Sequence, residues 1–239
     1  MCLQESEPSS LVAHALNSSR YRDFIEGSTS SFEGMLTTDE GLTYGGGDRS
    51  LIDFTYEVTA KDVSGQAATF RCTAVHAAHF HALREKYCDG EGDSCYIASM
   101  MHCKDWSDNN GGRAGSFYKT CDDRYIVKKI NKEEWEDFMI IGPRYFDHVG
   151  RALYQRVPSC LVKVLGVYKL SFQREDREPY FVVMENLFWG RDISQIFDLK
   201  GSLRNRFVDS TSDDPESMDQ PATLGGAGIQ VLQDQNYRV

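Results

Sequence analysis

The sequence predicts an α+β fold, because strand and helix patterns both occur along its middle part. Apolar and polar residues alternate over 52–58 and again over 70–74, as in strands with one buried face. Apolar residues follow a helical spacing over 76–88. Near-continuous apolar runs occupy 161–172 and 180–184, which is typical of central strands covered on both faces.

The composition is that of a globular protein with an acidic excess. Hydrophobic residues make up 41% and charged residues 26% of the 239 residues, and the formal net charge is -10. A nucleic-acid-binding chain would carry a basic surface, so no nucleic-acid partner is expected. No apolar run reaches the ~18 residues of a membrane span, so no transmembrane segment is expected.

The distribution of charge and pattern divides the chain into three parts. Residues 1–50 are acidic and rich in Ser, Glu, Gly and Thr without a sustained period, which predicts a disordered leader. Residues 51–206 hold the periodic segments and balance their charges, and they are expected to form the folded domain. Residues 207–239 are expected to form a polar loop and a short tail.

The cysteines and histidines predict no metal site. The seven cysteines include no CxxC pair and their number is odd, which predicts reduced, mostly buried thiols. The histidines and cysteines between residues 76 and 103 resemble a supply of zinc ligands, but their spacing fits no common zinc pattern. Structural histidines are therefore expected, with metal ligands as the alternative.

The first ordered elements are expected to be two strands followed by two helices. A turn at 63–65 joins the two alternating runs. The helix over 76–88 is followed by a loop over 89–93 and a second short helix over 96–103.

A central stretch, 111–130, has the pattern of a hairpin. A glycine cluster leads into an apolar-polar run over 116–120, and a second run covers 124–130. Asp122 and Asp123 lie between the runs and can form a tight turn.

This hairpin could hold a phosphate group. The glycines Gly111, Gly112 and Gly115 let backbone N–H groups approach anionic oxygens closely, and Lys128 on the second strand supplies a point charge. Protein kinases bind ATP with a glycine-rich loop and a lysine on a following strand. A surface hairpin with solvated lysines has the same pattern, so this stretch does not establish the site by itself.

A helix is expected after the hairpin. Asn131 and Glu134 have the spacing of a capping box, and Gly142–Pro143 is expected to break or kink the helix before a second one. In kinases such a helix contributes a glutamate that pairs with the lysine, and Glu133, Glu134 or Glu136 could serve. Glutamates in a first turn also favour the helix dipole without any partner, and the sequence does not choose among the three.

Two segments near the end of the periodic region carry a resemblance to a known family. VVMENLF (182–188) and FDLKGSLRNR (197–206) resemble the phosphatidylinositol phosphate kinase family, and the LKGSLRNR form is similar to the phosphatidylinositol 3-phosphate 5-kinases. Three upstream segments agree in the order of the family: FRCTAVHAAHFHALREKYC, GGRAGSFYKTCDDRYIVKK and PSCLVKVLGVYKL. The resemblance covers about residues 50–206, and a chance set of five co-linear segments is not expected.

The resemblance implies a kinase-like fold with an antiparallel N-lobe sheet, helices and a C-lobe of which the chain has only the start. Residues 51–206 would be the kinase domain. Gly111, Gly112, Gly115 and Ser116 match the nucleotide loop of the family, and Lys128 matches its ATP lysine.

The resemblance also assigns residues after the central strands. Met184, Glu185 and Asn186 match the hinge, where a kinase-like fold offers backbone groups to adenine. Lys200 matches a lysine near the transferring phosphate, and Asp198 beside it is a catalytic candidate that could equally be a turn-former holding Lys200 in place.

The activity that the resemblance implies is ATP-dependent phosphorylation of an inositol ring, with phosphatidylinositol 3-phosphate as the lipid and the 5-position as the acceptor. ATP and Mg²⁺ would be the cofactors. The partner would be a phosphoinositide lipid at a membrane surface, and the location would be cytoplasmic, peripheral to endosomal or vacuolar membranes.

The family's catalytic and metal-binding aspartates lie beyond the DLKGS segment, and residues 209–239 do not match them. The chain is therefore expected to be truncated, to lack Mg²⁺ ligands and to be inactive alone. The alternative is a non-catalytic nucleotide-binding or interaction module that retains the kinase N-lobe.

Overall fold

The computed structural model describes residues 8–36, 53–61, 67–88, 92–106, 116–172, 178–201, 207, 223–224, 229–233 and 237. The chain divides into two compact units. The first consists of residues 1–104 and 118–187, and the second of residues 105–117 and 188–239.

Seven strands form the main sheet. They are β1 (Phe54–Lys61), β2 (Ala67–Ala74), β3 (Cys103–Asp105), β4 (Phe117–Thr120), β5 (Tyr125–Ile130), β6 (Val164–Phe172) and β7 (Tyr180–Glu185), and their spatial order is β1-β2-β6-β7-β5-β4-β3. The pairs β1–β2, β2–β6, β6–β7 and β5–β7 are antiparallel. The two near-continuous apolar runs become β6 and β7 in the middle of the sheet, as predicted, and the expected turn at 63–65 lies outside the described residues.

Five helices are described, and with the sheet they confirm the predicted α+β class. They are α1 (Pro8–Leu16), α2 (Ser19–Leu36), α3 (Ala77–Tyr87), α4 (Gly92–Met100) and α5 (Lys132–Tyr154). The expected short helix starts at Gly92 rather than at residue 96 and ends at Met100, because Cys103 already belongs to β3.

The prediction of a disordered leader is wrong for residues 8–36, which form α1 and α2. Helix α1 is buried on almost every side, and Leu11 and Leu16 are each 1% exposed. A helix with no solvent face has no amphipathic period, so the pattern that reveals surface helices is missing from α1. The predicted domain boundaries at residues 50 and 206 otherwise stay predictions.

Helix α5 is one helix, so the predicted break at Gly142–Pro143 is wrong, whereas the predicted alternative of a kink stays a prediction. Proline removes one N–H group from the helix, but packing on either side keeps the helix continuous. Phe146 and Val149 lie in the hydrophobic core, and Gly142 is buried against His76. A Cβ atom at position 142 would come within 2.7 Å of His76 Nε2, so this close approach requires glycine.

Among the described cysteines, six form no disulfide, in agreement with the prediction of free thiols. The prediction that most are buried is wrong, because only Cys72 of these six is buried. Cys121 and Cys160 are exposed.

Two of the histidines are structural, as predicted. His76 and His79 are each 3% exposed and pack against each other and against Phe146. Burial, with a smaller contribution from the neighbouring His76, lowers the pKa of His79 to about 4. The neutral imidazole is therefore part of the folded state.

The low pKa of His79 predicts that the protein is less stable in mild acid. An unfolded chain binds a proton at His79 with a pKa near 6.5, whereas the folded protein does so only near pH 4. The free energy of unfolding should therefore fall by about 2 kcal/mol from this residue between pH 7 and pH 5. Urea unfolding at the two pH values measures this loss, and His79→Phe should reduce it.

The matched control is His148→Phe, because His148 is exposed on α5. This variant should keep the pH dependence of the wild type. If His79→Phe keeps it too, the imidazole of His79 is not the group that titrates.

A second, three-stranded sheet lies within the second unit. It consists of β8 (Ile196–Asp198), β9 (Thr223–Leu224) and β10 (Ile229–Gln233) in the order β8-β10-β9. Strand β10 runs parallel to β8, with Gln233 opposite Asp198, and antiparallel to β9. Residues 207–239, expected to form a polar loop and a tail, thus contain β9 and β10, and β10 pairs with β8.

Candidate functional site

The hairpin of β4 and β5 has the turn that the sequence predicts. The carboxylate of Asp122 accepts hydrogen bonds from Thr120 Oγ1 at 2.6 Å and from the N–H of Arg124 at 3.2 Å. Asp123 adopts a left-handed conformation with φ 60°, which aspartate tolerates better than most residues. The turn therefore delivers the chain directly into β5, the strand of Lys128.

The glycine segment joins two strands. Residues 107–115, including Gly111, Gly112 and Gly115, lie outside the described residues. Strand β3 ends before this segment and β4 starts after it, and the N–H of Trp106 donates to the carbonyl of Phe117 at 3.0 Å. Ser116, the last predicted residue of the nucleotide loop, is half-buried immediately before β4.

Strand β3 is not among the elements predicted from the sequence. Three residues are too few to show a strand period, so the hydrophobic pattern could not have revealed this strand.

Lys128 lies on the less buried face of the sheet. Tyr125 and Val127 point to the buried face, so Ile126 and Lys128 point to the other one. In the pairing with β7, Lys128 is opposite Val182 and Ile126 is opposite Met184. All four of these residues are half-buried, so the surface next to Lys128 on this face is apolar.

Glu134 is the glutamate that pairs with Lys128. Lys128 Nζ donates to Glu134 Oε1 at 2.8 Å, and the two side chains are 34% and 42% exposed. The hydrogen bond from Lys128, together with one from the N–H of Asn131, lowers the pKa of Glu134. Of the other two candidates, Glu136 pairs with Lys132 and Glu133 is exposed.

Glu134 also closes the predicted capping box. Its Oε2 accepts from the N–H of Asn131 at 2.9 Å, and its own N–H donates to Asn131 Oδ1 at 2.7 Å. One carboxylate therefore fixes both the start of α5 and the ammonium group of Lys128.

At the end of β7, the predicted hinge residues are already bonded within the first unit. The N–H of Glu185 donates to the carbonyl of Lys163 at 3.0 Å, and the N–H of Asn186 donates to the carbonyl of Arg124 at 2.9 Å. Those two N–H groups are thus engaged inside the sheet. The sequence carries no signal for these bonds, because they join residues far apart in the chain.

Lys200 and Asp198 form an ion pair in the second unit. Lys200 Nζ lies 2.9 Å from Asp198 Oδ1, and the side chains are 62% and 42% exposed. Gly201 follows with φ 71°, a left-handed conformation that glycine adopts without strain, and Ser202 lies outside the described residues. Asp198 is therefore in direct contact with Lys200, and its role toward this lysine stays a prediction.

The described ranges contain neither a cluster of metal ligands nor a membrane-spanning helix. There, no group of three or more His, Cys, Asp and Glu side chains could hold a metal ion. The helices in the same ranges are all too short or too polar to span a bilayer.

The chain is similar to 1-phosphatidylinositol 3-phosphate 5-kinases of several organisms. The 1-phosphatidylinositol 3-phosphate 5-kinase of Mus musculus is 36% identical over 178 residues, which cover 73% of this chain and 8% of that protein. The Homo sapiens protein of the same name is 37% identical over 181 residues, covering 73% and 8%. That of Saccharomyces cerevisiae is 38% identical over 146 residues, covering 59% and 6%.

This chain thus spans less than a tenth of the length of these three relatives. The family model for phosphatidylinositol-4-phosphate 5-kinase matches residues 103–238, which is more than half of the chain. The match includes the glycine segment, Lys128, the end of β7 and Lys200. The resemblance predicted from the sequence is confirmed, and the chain belongs to the phosphatidylinositol-4-phosphate 5-kinase family.

Proposed function

We propose that this chain takes part in ATP-dependent phosphorylation of the inositol ring of phosphatidylinositol 3-phosphate at the 5-position. The names of the similar proteins support the substrate and the position. The observation that carries the proposal is the contact between Lys128 Nζ and Glu134 Oε1 at 2.8 Å, which joins the lysine strand to the following helix. Kinases hold the lysine that binds ATP phosphates with such a glutamate.

The residues around Lys128 fit a nucleotide. Ile126, Val182 and Met184 share a half-buried apolar face with Lys128, which suits a flat adenine ring next to charged phosphates. Gly111, Gly112, Gly115 and Ser116 would contribute backbone N–H groups to the phosphates. ATP, when bound, supplies the phosphoryl group.

Adenine would be contacted at the end of β7. Because the N–H groups of Glu185 and Asn186 are used inside the sheet, the contribution of Met184–Asn186 would come from carbonyl groups and from the apolar side chain of Met184. Met184–Asn186 would thus contact adenine without donating the N–H groups of Glu185 and Asn186.

Lys200 would neutralise charge on the moving phosphoryl group, as cations do in phosphoryl transfer. Its ion pair with Asp198 is largely exposed, and such pairs contribute little to stability, so a phosphate oxygen can replace the carboxylate. Asp198 would orient Lys200 before the phosphate takes its place. Magnesium, when bound, would supply positive charge at the phosphates. Among the described residues no group of three or more His, Cys, Asp and Glu side chains could hold it, so no residue is proposed as its ligand.

A lipid substrate would bring the chain to a membrane surface. Phosphatidylinositol 3-phosphate is anchored in the bilayer, so its headgroup is reached only at the interface. From the family resemblance we propose a cytoplasmic location, peripheral to endosomal or vacuolar membranes.

Replacing Lys128 with alanine should weaken ATP binding. The lost contact is a charge-assisted hydrogen bond to phosphate, worth about 1.5–3 kcal/mol, so the Kd should rise at least tenfold. Calorimetric titration of wild type and variant with ATP, with and without magnesium, measures the change.

Lys129→Ala is the control, because Lys129 is next along β5 and points to the opposite face. This variant should bind ATP nearly as the wild type does. Equal affinities of wild type and Lys128→Ala, or no binding of ATP by the wild type, would show that the proposed nucleotide site is wrong.

A further inference from the structure

The side chain of Glu185 has an unusual position for a residue at the predicted adenine contact. It is 8% exposed, and its carboxylate is turned into the first unit. Oε1 accepts from the N–H of Lys163 at 2.8 Å and from Lys163 Nζ at 2.9 Å, and Oε2 accepts from Tyr87 Oη at 2.9 Å. Three donors therefore surround a nearly buried carboxylate.

These bonds connect three elements. Glu185 is the last residue of β7, Lys163 directly precedes β6, and Tyr87 is the last residue of α3. Lys163 Nζ also lies 5.7 Å from the centre of the Tyr87 ring, a distance at which a cation is attracted to an aromatic face. The end of β7 is thus attached to the neighbouring strand and to a helix.

The attachment lies where the sheet is irregular. The pairing of β6 with β7 shifts register between Val164 and Gly166, so the regular ladder is interrupted one residue before β7 ends. The backbone bond from Glu185 to Lys163 and the carboxylate bond back to the N–H of Lys163 restore the connection beyond the bulge.

The opposite edge of the same segment is fixed by Asn186. Its N–H donates to the carbonyl of Arg124, and its side-chain Nδ2 donates to the carbonyl of Asp123 at 2.7 Å. Glu185 and Asn186 together hold the strand end to β6 on one side and to the turn before β5 on the other. The chain leaves the first unit immediately afterwards, at Leu187.

We propose that Glu185 is a positioning residue that holds the end of β7 in the place where adenine binds. Its side chain does not touch the nucleotide and acts through Lys163 and Tyr87. This inference rests on the proposed ATP site. It explains a buried carboxylate whose three donors all belong to elements that adjoin the strand end.

The test separates adenine binding from phosphate binding. Glu185→Gln keeps the shape of the side chain but removes the charge that holds Lys163 Nζ. Titrations of the 239-residue chain with ATP, adenosine and tripolyphosphate are compared with those of wild type, and thermal unfolding is followed in parallel. The Kd for ATP and for adenosine should rise about tenfold, and the Kd for tripolyphosphate should not change.

Two further variants serve as a graded test and as a control. Tyr87→Phe removes one of the three donors and should give a smaller increase in the Kd for ATP than Glu185→Gln. Glu178→Gln is the matched control, because Glu178 pairs with Lys169 of β6 at 2.8 Å beside the other end of β7. It should leave all three affinities unchanged.

The outcomes distinguish this inference from the proposed site. If Lys128→Ala weakens ATP binding but Glu185→Gln does not, the positioning role is wrong and the site stands. If Glu185→Gln weakens tripolyphosphate as much as adenosine and lowers the melting temperature, the carboxylate is merely structural and the inference is overturned. If wild type binds no ATP, both are overturned.

Discussion

Arg84→Met is expected to reduce the free energy of unfolding by about 3–5 kcal/mol, because it leaves the carboxylate of Asp93 buried without its main counter-charge. Arg84 is 1% exposed and Asp93 12% exposed. Burial alone would raise the pKa of Asp93, but the charge of Arg84 and hydrogen bonds from His81 and Arg84 lower it well below its usual value. Urea unfolding of wild type and variant measures the loss.

The guanidinium of Arg84 also has partners in other elements. Nη1 donates to the carbonyl of Leu165 on β6 at 2.8 Å, and Nη2 donates to Tyr21 Oη on α2 at 2.7 Å. The group lies 4.7 Å from the centre of the Tyr96 ring. Methionine fills part of the space but satisfies none of these acceptors, so their desolvation adds to the cost.

Arg71→Met is the control for this experiment. Arg71 pairs with Glu57 at 2.7 Å across β1 and β2, but both side chains are at least half exposed. Such pairs contribute about 0–1 kcal/mol, so the variant should be nearly as stable as wild type. Similar losses for Arg71→Met and Arg84→Met would show that burial does not set the strength of the Arg84 contacts.

The double variant Leu11→Ala/Leu16→Ala is expected to lose most of the stability of the first unit. Both side chains of α1 are fully buried, and each Leu→Ala change in a core costs about 2–5 kcal/mol. The sum approaches the whole stability of a typical domain, about 5–15 kcal/mol. Circular dichroism during thermal unfolding should show a strongly lowered or absent transition.

The double variant Ile140→Ala/Ile141→Ala tests whether burial is the reason for the loss of stability expected in the α1 variant. These residues have the same kind of side chain, lie on α5 and are 75% and 52% exposed. Their loss should change the melting temperature little, because exposed apolar groups gain little from folding. A native transition in the α1 variant would mean that α1 does not belong to the core.

The elements predicted correctly are those whose residues carry a local signal. Apolar and polar residues alternate along β1 and β2 because one face is buried and the other faces water. The capping box of α5 could be predicted from the spacing of Asn131 and Glu134. Helix α1 carries no such signal, since it has no solvent face. At Gly142–Pro143 the local signal was present but misleading, because packing against His76 and the core overrides the preference of proline.

In the candidate site, too, some features could be predicted from the sequence and others depend on the fold. Lys128 could be predicted because glycines and a lysine strand lie together in the sequence. The glutamate that pairs with Lys128 could not be predicted, because all three candidates, Glu133, Glu134 and Glu136, lie in the first turns of α5. Only the position of the helix in the fold shows which of them reaches β5. The carboxylate contacts of Glu185 depend on Tyr87 and Lys163, which the fold alone brings close.

The two oxygens of Glu134 have different tasks, and this affects how variants at the site are interpreted. Oε2 caps the start of α5 and Oε1 holds Lys128, so Glu134→Ala would remove a helix cap and a charge partner in one substitution. Effects that pass through a shared group are not additive. Asn131→Ala removes the other half of the capping box, the bond from the N–H of Glu134 to Asn131 Oδ1, while Lys128 keeps its carboxylate. A cycle of single and double variants at positions 128, 131 and 134 therefore helps to separate the contribution of the helix start from that of the lysine.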